Sequence, residues 1–433
     1  MEELVSLCKR RGFIYQTNEL YGGMQGVYDY GPLGVELKNN LKQAWWSSMV
    51  YERDDIEGLD SSILTHPNGL RYSGHEETFT DPLVDCKDCK SRFRADHIDN
   101  NKCPSCGSEN LTDPRPFNLM FKTTIGPVDD GSSFAYLRPE TAQQIFTNFK
   151  NVVDSTSRTL PFGIAQIGKA FRNEIIARQF IFRMREFEQM EMQFFVKPGT
   201  QSKWYESWKE NRMKWHKALG LGDENYRFHD HDKLAHYADA ACDIEFNFPF
   251  GFKELEGIHS RTDFDLTQHE EYSGKKLRYF DPEINESYVP YVVETSIGLD
   301  RMFLAVLASS FKEEELKDNN TRIVLKIPGF LSPYKLAILP LVKKDGLSEY
   351  AKKIYDDLKI HFNIAYDEKD AVGRRYRRQD AIGTPVCLTV DHDSIKDNSV
   401  TLRFRDSMDQ IRVKVSDVKN EIDNRINISN WLS

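Results

Sequence analysis

Four cysteines stand in two Cys-x-x-Cys pairs that are separated by thirteen residues: Cys86, Cys89, Cys103 and Cys106. Each pair can direct two thiolates at one point, and four thiolates complete the tetrahedral shell that Zn²⁺ prefers. Such a shell has no open position for a substrate, so the zinc ion would be structural. We therefore predict a zinc knuckle within an insertion at residues 84–110. The alternative interpretation is four unligated thiols.

A second set of chemically active side chains follows two strand-like runs at residues 166–174 and 183–195. Because side chains alternate between the faces of a strand, Met190, Met192 and Phe194 share an apolar face. The other face is polar and carries Gln166, Arg172, Glu174, Arg183, Arg185, Phe187, Gln189, Glu191 and Gln193. Guanidinium groups, carboxylates and an aromatic ring on one sheet face can clamp phosphates and stack on a base. The alternative is a solvated amphipathic sheet with surface ion pairs.

The segments at the ends of these runs resemble signature motifs of the class II aminoacyl-tRNA synthetases. Phe171-Arg-Asn-Glu174, followed after a loop by Arg183-Met-Arg-Glu-Phe187, is similar to their motif 2. Gly298-Leu-Asp-Arg301, at a strand-to-helix junction, is similar to their motif 3. The resemblance implies an α+β fold whose antiparallel-sheet catalytic domain binds ATP and activates an amino acid.

The same resemblance implies roles for single residues at ATP. The first motif 2 arginine of the family holds the α-phosphate, which gives Arg172 a catalytic role, and Arg301 would act with Arg183 on the γ-phosphate. Glu174 would meet the adenine amino group, and Phe187 would stack on adenine. The full set implied at ATP is Arg172, Asn173, Glu174, Phe182, Arg183, Phe187, Glu254, Leu255, Gly298, Leu299, Asp300 and Arg301.

Amino-acid activation is a reaction that suits this inventory. It is an in-line displacement at the α-phosphorus, which needs positioning and charge neutralisation more than a side-chain nucleophile. Glu254 matches the family carboxylate that carries Mg²⁺ on the phosphates, and Mg²⁺ favours such oxygen ligands. The sequence has neither a GxxxxGK[ST] phosphate loop nor a Gly-x-Ser-x-Gly elbow. This argues against a P-loop ATPase and an α/β-hydrolase.

Further segments, taken in order along the chain, resemble the dimeric glycyl-tRNA synthetases: residues 10–13, 28–34, 137–140, 187–191, 260–266 and 294–298. In that family three carboxylates, matching Glu140, Glu191 and Glu294, surround the substrate ammonium. An arginine matching Arg94 lies near the substrate. The full set implied at glycine is Arg94, Glu140, Phe187, Glu188, Glu191, Glu294, Ser296 and Gly298.

The chemistry of glycine agrees with an acidic, crowded pocket. Glycine has no side chain to grip, so a selective site must bind its ammonium tightly and fill the space of a Cβ. Rejecting larger amino acids by overlap needs no editing domain, whereas a missing methylene is worth only about 1–3 kcal/mol. For each glutamate alone, a surface carboxylate is the alternative. The rival functions are a threonyl-, prolyl- or histidyl-specific synthetase and a catalytically silent paralogue that binds nucleic acid.

The pattern changes near residue 328 and predicts a separate α/β domain at residues 329–433. A strand is expected at residues 335–341, a helix at 347–358 and a strand at 363–366. The domain resembles the anticodon-binding domain of glycyl-, histidyl-, prolyl- and threonyl-tRNA synthetases. Its basic run carries arginines expected to bind tRNA: Arg374, Arg375, Arg377 and Arg378. A solvated arginine-rich loop is the alternative.

The remaining elements are expected to form one catalytic domain at residues 1–328. Residues 33–49 predict a helix, and the region 28–46 resembles family motif 1, which implies a homodimer. A helical insertion is expected at residues 196–240, with a surface helix at 204–219. Further strands are predicted at 246–252, 264–266 and 288–296, and an apolar helix at 299–309.

Composition bounds the partners and the compartment. With 58 Lys and Arg against 67 Asp and Glu, the net charge of −9 argues against non-specific coating of nucleic acid, and no DNA partner is expected. The sequence lacks an apolar run that could span a bilayer and a signal peptide, so we expect a cytoplasmic protein with no membrane partner. The expected partners are glycine and a glycine-accepting tRNA. The expected cofactors are ATP, Mg²⁺ and a structural Zn²⁺.

Overall fold

The computed structural model describes residues 1–128, 131, 133–177, 179–315 and 321–427. Its helices are α1 Glu2–Arg11, α2 Pro32–Trp46, α3 Pro67–Tyr72, α4 His75–Thr78, α5 Ala142–Thr156, α6 Gln201–Ala218, α7 Phe264–Ser273, α8 Leu299–Ser310, α9 Leu347–Leu358, α10 Val372–Asp380, α11 His392–Asp397 and α12 Val418–Ile426. None of these described helices combines the length and the apolar character needed to cross a membrane.

The strands of the first three quarters of the chain are β1 Ile14–Gln16, β2 Tyr28–Tyr30, β3 Ile56–Gly58, β4 Leu64–Thr65, β5 Thr80–Asp85, β6 Arg92–Arg94, β7 Arg115–Asn118, β8 Phe121–Thr124, β9 Phe134–Leu137, β10 Phe162–Phe171, β11 Glu186–Val196, β12 Tyr226–Asp230, β13 Ala240–Phe248, β14 Gly251–Thr262, β15 Tyr279–Asp281, β16 Glu286–Tyr288, β17 Tyr291–Gly298, β18 Phe311–Glu315 and β19 Thr321–Leu325. Those of the last quarter are β20 Leu336–Pro340, β21 Ile364–Tyr366, β22 Val386–Val390, β23 Ser399–Phe404 and β24 Gln410–Lys414.

The largest sheet has seven strands in the order β12-β13-β14-β17-β11-β10-β3. All neighbours are antiparallel except β10 and β3, which run parallel. The predicted hairpin is confirmed as β10 and β11, whose pairing runs from Phe162 opposite Phe195 to Phe171 opposite Glu186. This pairing places three strands that carry predicted site residues side by side: β14, β17 and β11.

The two faces of this sheet have opposite character, as strand alternation requires. Met190, Met192 and Phe194 are fully buried in a core that includes leucines of α2 and the apolar residues of α8. The other face changes along its length. At one end Phe162, Phe195 and Val292 are packed with aromatic residues of α5, and the polar residues lie beyond them. The site therefore occupies an open part of an otherwise covered face.

Several predicted elements are confirmed and two are corrected. Helix α2 covers most of the predicted 33–49, and α8 matches the predicted 299–309 within a residue. Residues 264–266, predicted as a strand, begin helix α7. The helix predicted at the surface, α6, instead buries Tyr205, Trp208 and Trp215 against the main sheet. Its aromatic residues are irregularly spaced among charged residues that point outward. The buried stripe therefore does not appear as a simple helical period in the sequence.

The C-terminal part of the described chain has its own five-stranded sheet, in the order β21-β20-β22-β23-β24. Helices α9 and α12 cover it and share a separate core with Leu336, Leu388 and Leu402. The predicted helix at 347–358 is found with the same bounds. The basic run is not a loop but lies within helix α10.

Candidate active site

A polar cleft lies on the open part of the main sheet, where β11 and β14 begin and β17 ends. Its lining consists of Arg172, Glu174, Ile181, Phe182, Arg183, Met184, Phe187, Glu188, Gln189, Glu254, Ser296, Gly298, Asp300 and Arg301. Most of the residues that the sequence predicts at ATP therefore border one cleft. The guanidinium of Arg172 lies over the rings of Phe187 and Phe79, at 5.3 Å and 5.2 Å from the ring centroids. A planar base could stack in the same aromatic environment.

Arg301 and Glu254 meet across the mouth of this cleft. Their side chains form an ion pair of 3.0 Å between Nη1 and Oε2, and the guanidinium lies 4.4 Å above the ring of Phe182. The Glu254 carboxylate is half exposed. An exposed carboxylate beside a fixed arginine offers the oxygen ligand that Mg²⁺ favours, so the donor chemistry here fits a magnesium–phosphate complex.

A β-bulge decides the direction of Glu254. The pairing of β13 with β14 shifts so that Ile244 faces Glu256 while its neighbour Glu245 faces Glu254, which leaves Leu255 as the extra residue. Leu255 is buried in the core, and Glu256 lies on the opposite side of the sheet, bonded to Arg212 at 2.7 Å. Without the bulge, alternation would send Glu254 to that same side.

Glu174 is buried at the inner end of the cleft. Burial raises the pKa of its carboxyl group, against the opposing effect of Arg183 and Arg172. The Arg183 guanidinium is 4.0 Å away, and the Glu174 main-chain carbonyl accepts from Arg185 at 3.1 Å. The backbone N–H of Asn173 donates to the carbonyl oxygen of Leu119 at 2.7 Å. The neighbouring loop includes Arg178, which lies outside the described residues.

The three glutamates predicted at glycine converge on the same face. Gln193 Nε2 donates to both Glu191 and Glu294, at 2.7 Å and 2.6 Å. Glu140 precedes α5 and accepts from Gln143 at 3.2 Å. The Ser296 hydroxyl lies between this cluster and the cleft, 3.5 Å from Glu191 Oε2. The glutamate cluster, defined as Glu140, Glu191 and Glu294, is therefore contiguous with the cleft through Ser296.

These carboxyl groups differ in charge because their neighbours differ. Burial raises the pKa of Glu191 well above its usual range, and repulsion from Glu294 and Glu140 raises it further. Burial also opposes the ionisation of Glu294, but Arg261 and His259 lower its pKa to about 2. For Glu140 the same opposition is outweighed by His75 and Arg261, which hold its pKa well below the usual range. The cluster thus combines two carboxyl groups whose pKa values are lowered with one whose pKa is raised.

Several side chains that contact the glutamate cluster were not predicted from the sequence as partners of these glutamates. His75 lies 3.3 Å from Glu140, His259 lies 3.0 Å from Glu294, and Arg261 bonds both Glu294 and Asp265. The Thr141 hydroxyl donates to Glu191. Alternation along β14 could have found His259, because it shares a strand face with Arg261. Nothing in the sequence pairs His75 with Glu140.

Glu188 is placed differently from the expectation. Its carboxylate binds Lys38 and Lys42 of helix α2, each at 2.6 Å, and does not face the glutamate cluster. The reason is that an even-numbered residue of β11 points away from Glu191. Asp300 likewise turns to Lys38, at 2.9 Å, and receives the Glu188 N–H at 2.7 Å. Through these lysines, Glu188 and Asp300 connect the wall of the cleft to helix α2.

Arg94 lies on the ATP side of the site and not at the glutamate cluster. Its guanidinium binds Asp81 at 2.9 Å and Asp96 at 3.0 Å, and its charge acts on Glu174. Leu299, expected at ATP, is fully buried in the core together with Leu255. Only main-chain atoms of these two leucines are available to a ligand, because aliphatic side chains at the start of α8 and in β14 pack inward.

The four cysteines of the predicted knuckle converge. Their sulfur atoms all lie within 4.8 Å of one another, with 3.7 Å between Cys86 and Cys106 and 3.6 Å between Cys89 and Cys103. A tetrahedral Zn–S shell with bonds of about 2.3 Å separates its sulfurs by roughly 3.8 Å. The donor set therefore fits zinc. The knuckle packs through Phe93 and Cys86 against Ile176, which lies in the segment between the two halves of motif 2.

The arginines of α10 divide into two groups. Arg374 and Arg377 are exposed, whereas Arg375 is buried and its guanidinium donates to the carbonyl oxygens of Pro340, at 2.7 Å, and Asp367, at 3.0 Å. The expectation that Arg375 binds tRNA is therefore wrong, because it lies on the inner face of the helix. Arg378 is partly exposed and pairs with Asp367 and Asp370.

Comparisons with known proteins agree with this arrangement. Residues 121–310 match the family model described as the tRNA synthetase class II core domain (G, H, P, S and T), and residues 335–425 match the anticodon binding domain. A glycine–tRNA ligase of Treponema denticola is 56% identical over 98% of this chain and 97% of its own length. Those of Borreliella burgdorferi and Geobacillus thermodenitrificans are 55% and 48% identical, each over 98% of this chain and 97% of the relative.

Proposed function

The chain belongs to the class II glycine–tRNA ligases, and from that premise we propose how the residues of its main sheet divide the work. The enzyme activates glycine with ATP and transfers the glycyl group to tRNA. The observation that carries the residue-level proposal is the convergence of Glu140, Glu191 and Glu294 beside an arginine-lined cleft. The cluster binds the glycine ammonium, and the cleft binds ATP.

The position of Ser296 between the two sites supports this division. It borders the cleft and lies 3.5 Å from Glu191, so a glycine whose ammonium meets the cluster directs its carboxylate toward the cleft. That carboxylate is the nucleophile in the displacement at the α-phosphorus. Arg172 neutralises the α-phosphate, and Arg183 and Arg301 neutralise the γ-phosphate. Phe187 and Glu174 receive the adenine.

Metal ions have two separate places in this proposal. Glu254 holds Mg²⁺, which supplies charge neutralisation on the phosphates when it is bound. Cys86, Cys89, Cys103 and Cys106 would hold Zn²⁺, which would order the knuckle. The packing of the knuckle on Ile176 links it to the segment between the two halves of motif 2.

The C-terminal domain is proposed to read the anticodon of a glycine-accepting tRNA. Arg374 and Arg377 are the exposed arginines of α10 and are the residues assigned to phosphate contact. Arg378 contributes only after leaving its pairs with Asp367 and Asp370. DNA and membranes are not expected partners.

A homodimer and a cytoplasmic location complete the proposal. The segment before β2 carries three large apolar side chains that are exposed: Leu20, Tyr21 and Met24. They adjoin the region that resembles motif 1, so a second copy of the chain is the partner that would cover them. The cytoplasm is proposed because charged tRNA is used there.

The decisive measurement is glycine-dependent exchange of pyrophosphate into ATP without tRNA. We expect exchange with glycine and at least 100-fold less in Arg172→Ala, since removing one charge that stabilises the transition state costs about 100- to 1,000-fold. Lys169→Ala is the matched control, because Lys169 is an exposed cation of β10, the strand that Arg172 directly follows. Exchange with alanine or threonine but not glycine, or near-normal activity of Arg172→Ala, would contradict the proposal.

A further inference from the structure

His259 meets the glutamate cluster from the neighbouring strand. Gly257, His259 and Arg261 lie on the same face of β14 as the cluster, and His259 is the cross-strand partner of Glu294. The His259 Nδ1 atom lies 3.0 Å from Glu294 Oε1, with side-chain exposures of 17% for the histidine and 7% for the glutamate. This is a hydrogen bond largely screened from water, where such bonds are strongest.

The direction of this hydrogen bond follows from the charge of Glu294. Arg261 and His259 keep the pKa of Glu294 at about 2, so its carboxylate is ionised and only accepts. The proton must therefore sit on Nδ1 of His259. The second oxygen, Oε2, accepts from Arg261 at 3.0 Å and Gln193 at 2.6 Å. Among the described residues, His259 is the donor that holds Oε1.

The surroundings of the ring are shaped for this contact. Gly257 has no side chain, and a Cβ there would lie only 2.9 Å from Cε1 of His259. Tyr237 and His231 pack against the ring edge, with centroids 6.4 Å and 5.8 Å from that of His259. His231 itself pairs with Asp243 at 3.0 Å. These contacts hold the plane of the imidazole while Nδ1 faces Glu294.

We propose that His259 is a positioning residue for glycine: by fixing the plane of the Glu294 carboxylate, it sets the direction in which that carboxylate receives the substrate ammonium. The inference rests on the proposed glycine-binding role of Glu294. Glycine offers no side chain for a second grip, so the orientation of the ammonium decides where its carboxylate points. Loss of the His259 hydrogen bond therefore weakens glycine binding and leaves ATP binding unaffected.

Two substitutions separate the hydrogen bond from the packing. His259→Phe keeps a ring but has no donor, whereas His259→Asn loses the ring and places an amide N–H where Nδ1 was. In pyrophosphate exchange, we expect His259→Phe to raise the KM for glycine by about 10-fold, because a hydrogen bond to a charged group is lost. The KM for ATP should stay within twofold. His259→Asn should restore the KM for glycine to within about threefold of the original.

His229→Ala is the matched control, because His229 is an exposed histidine of the same sheet. An unchanged KM for glycine in folded His259→Phe would overturn the inference, as would equal rises in the two KM values. If His259→Phe does not fold, a His259→Asn variant whose KM for glycine rises as much as that of His259→Ala would also overturn it. Glu294→Gln tells the two failures apart: normal glycine exchange in that variant contradicts the role of Glu294 itself.

Discussion

At the scale of single residues, the glutamate cluster shows how neighbours assign different tasks to identical side chains. Glu294 lies beside Arg261 and Glu140 lies beside His75, and these neighbours lower the pKa values of the two carboxyl groups. Among the described residues, the hydrogen-bond donors to Glu191 are neutral, and they include Thr141 and Gln193. Three carboxylates in one small volume cannot all be ionised cheaply, so burial and repulsion raise the pKa of Glu191, and a cation bound beside it lowers that pKa again. In the proposed function, the substrate ammonium is that cation.

This assignment predicts a conflict between stability and function at Glu191. The folded-state pKa of Glu191 is raised above its unfolded value of about 4.5, so between these two values unfolding releases a proton. The stability that protonated Glu191 contributes is therefore complete below about pH 4.5 and is lost as the pH rises through the folded-state pKa. Glu191→Gln imitates the protonated acid at every pH. We expect it to unfold a few degrees higher than the original at pH 8, with a smaller gain at pH 5, and to lose glycine-dependent exchange. Thermal unfolding at both pH values checks this, and a lower midpoint at pH 8 would contradict it.

At the scale of secondary-structure elements, small irregularities such as a β-bulge set the direction of functional side chains. The bulge at Leu255 turns Glu254 to the cleft and leaves Glu256 with Arg212 and His216 on the opposite side of the sheet. The knuckle is a second such element, since it supplies Arg94 near Glu174 and packs against Ile176. An element with little core of its own depends on its metal for order.

The knuckle predicts a measurable link between zinc and ATP. Protein purified without chelators should contain about one zinc ion per chain, and Cys103→Ser should lower that content, because only four thiolates complete the shell. We expect the KM for ATP to rise several-fold in this variant as Arg94 and Ile176 lose their support. Metal analysis and exchange kinetics check both parts. Lys87→Ala, an exposed change between the same cysteines, should alter neither. Zinc-free wild-type protein would contradict the site.

At the scale of the whole molecule, buried polar contacts join the C-terminal domain to the catalytic domain. Asp380 of α10 binds Arg322 of β19 at 2.8 Å and Arg403 at 2.8 Å, and these side chains are nearly inaccessible to water. In the linker, the Lys335 ammonium donates to the carbonyl oxygens of Phe330, at 2.7 Å, and Ser332, at 2.8 Å. The helix that carries the exposed arginines is thereby fixed relative to the strand pair that follows α8.

The Asp380 cluster predicts separable effects on the two half-reactions. Asp380→Asn takes the carboxylate partner from the buried Arg403 and leaves Arg322 with Glu314 alone, and breaking a buried ion pair typically costs about 3–5 kcal/mol. We expect a lower unfolding midpoint and at least a 10-fold loss of glycyl transfer to tRNA, with tRNA-independent exchange within twofold of normal at low temperature. Asp370→Asn, an exposed acid paired with Arg378, should change neither activity. Equal losses of exchange and transfer in Asp380→Asn would refute the separation.

The amino-acid sequence by itself determined what depends on neighbours along the chain. Alternation identified the apolar face with Met190 and Phe194, and periodicity identified the helix Leu347–Leu358 with its bounds. The spacing of the knuckle cysteines was enough to predict their convergence. Such features need only the geometry of one strand, helix or turn. The class II fold and the glycine–tRNA ligase activity instead followed from the resemblance of short segments to a known family, and the comparisons confirm both.

Only the tertiary structure decided which distant side chains meet. Glu140, Glu191 and Glu294 come together because β11 and β17 pair and because the segment before α5 crosses the same sheet face. A one-residue bulge in β14 turns the Glu254 side chain toward the cleft. The packing of α10 on its domain buries Arg375 while Arg374 stays exposed. The partners His75 and His259 follow from the same convergence. Strand pairing, bulges and helix docking are settled by non-local packing, which no periodicity in the chain encodes.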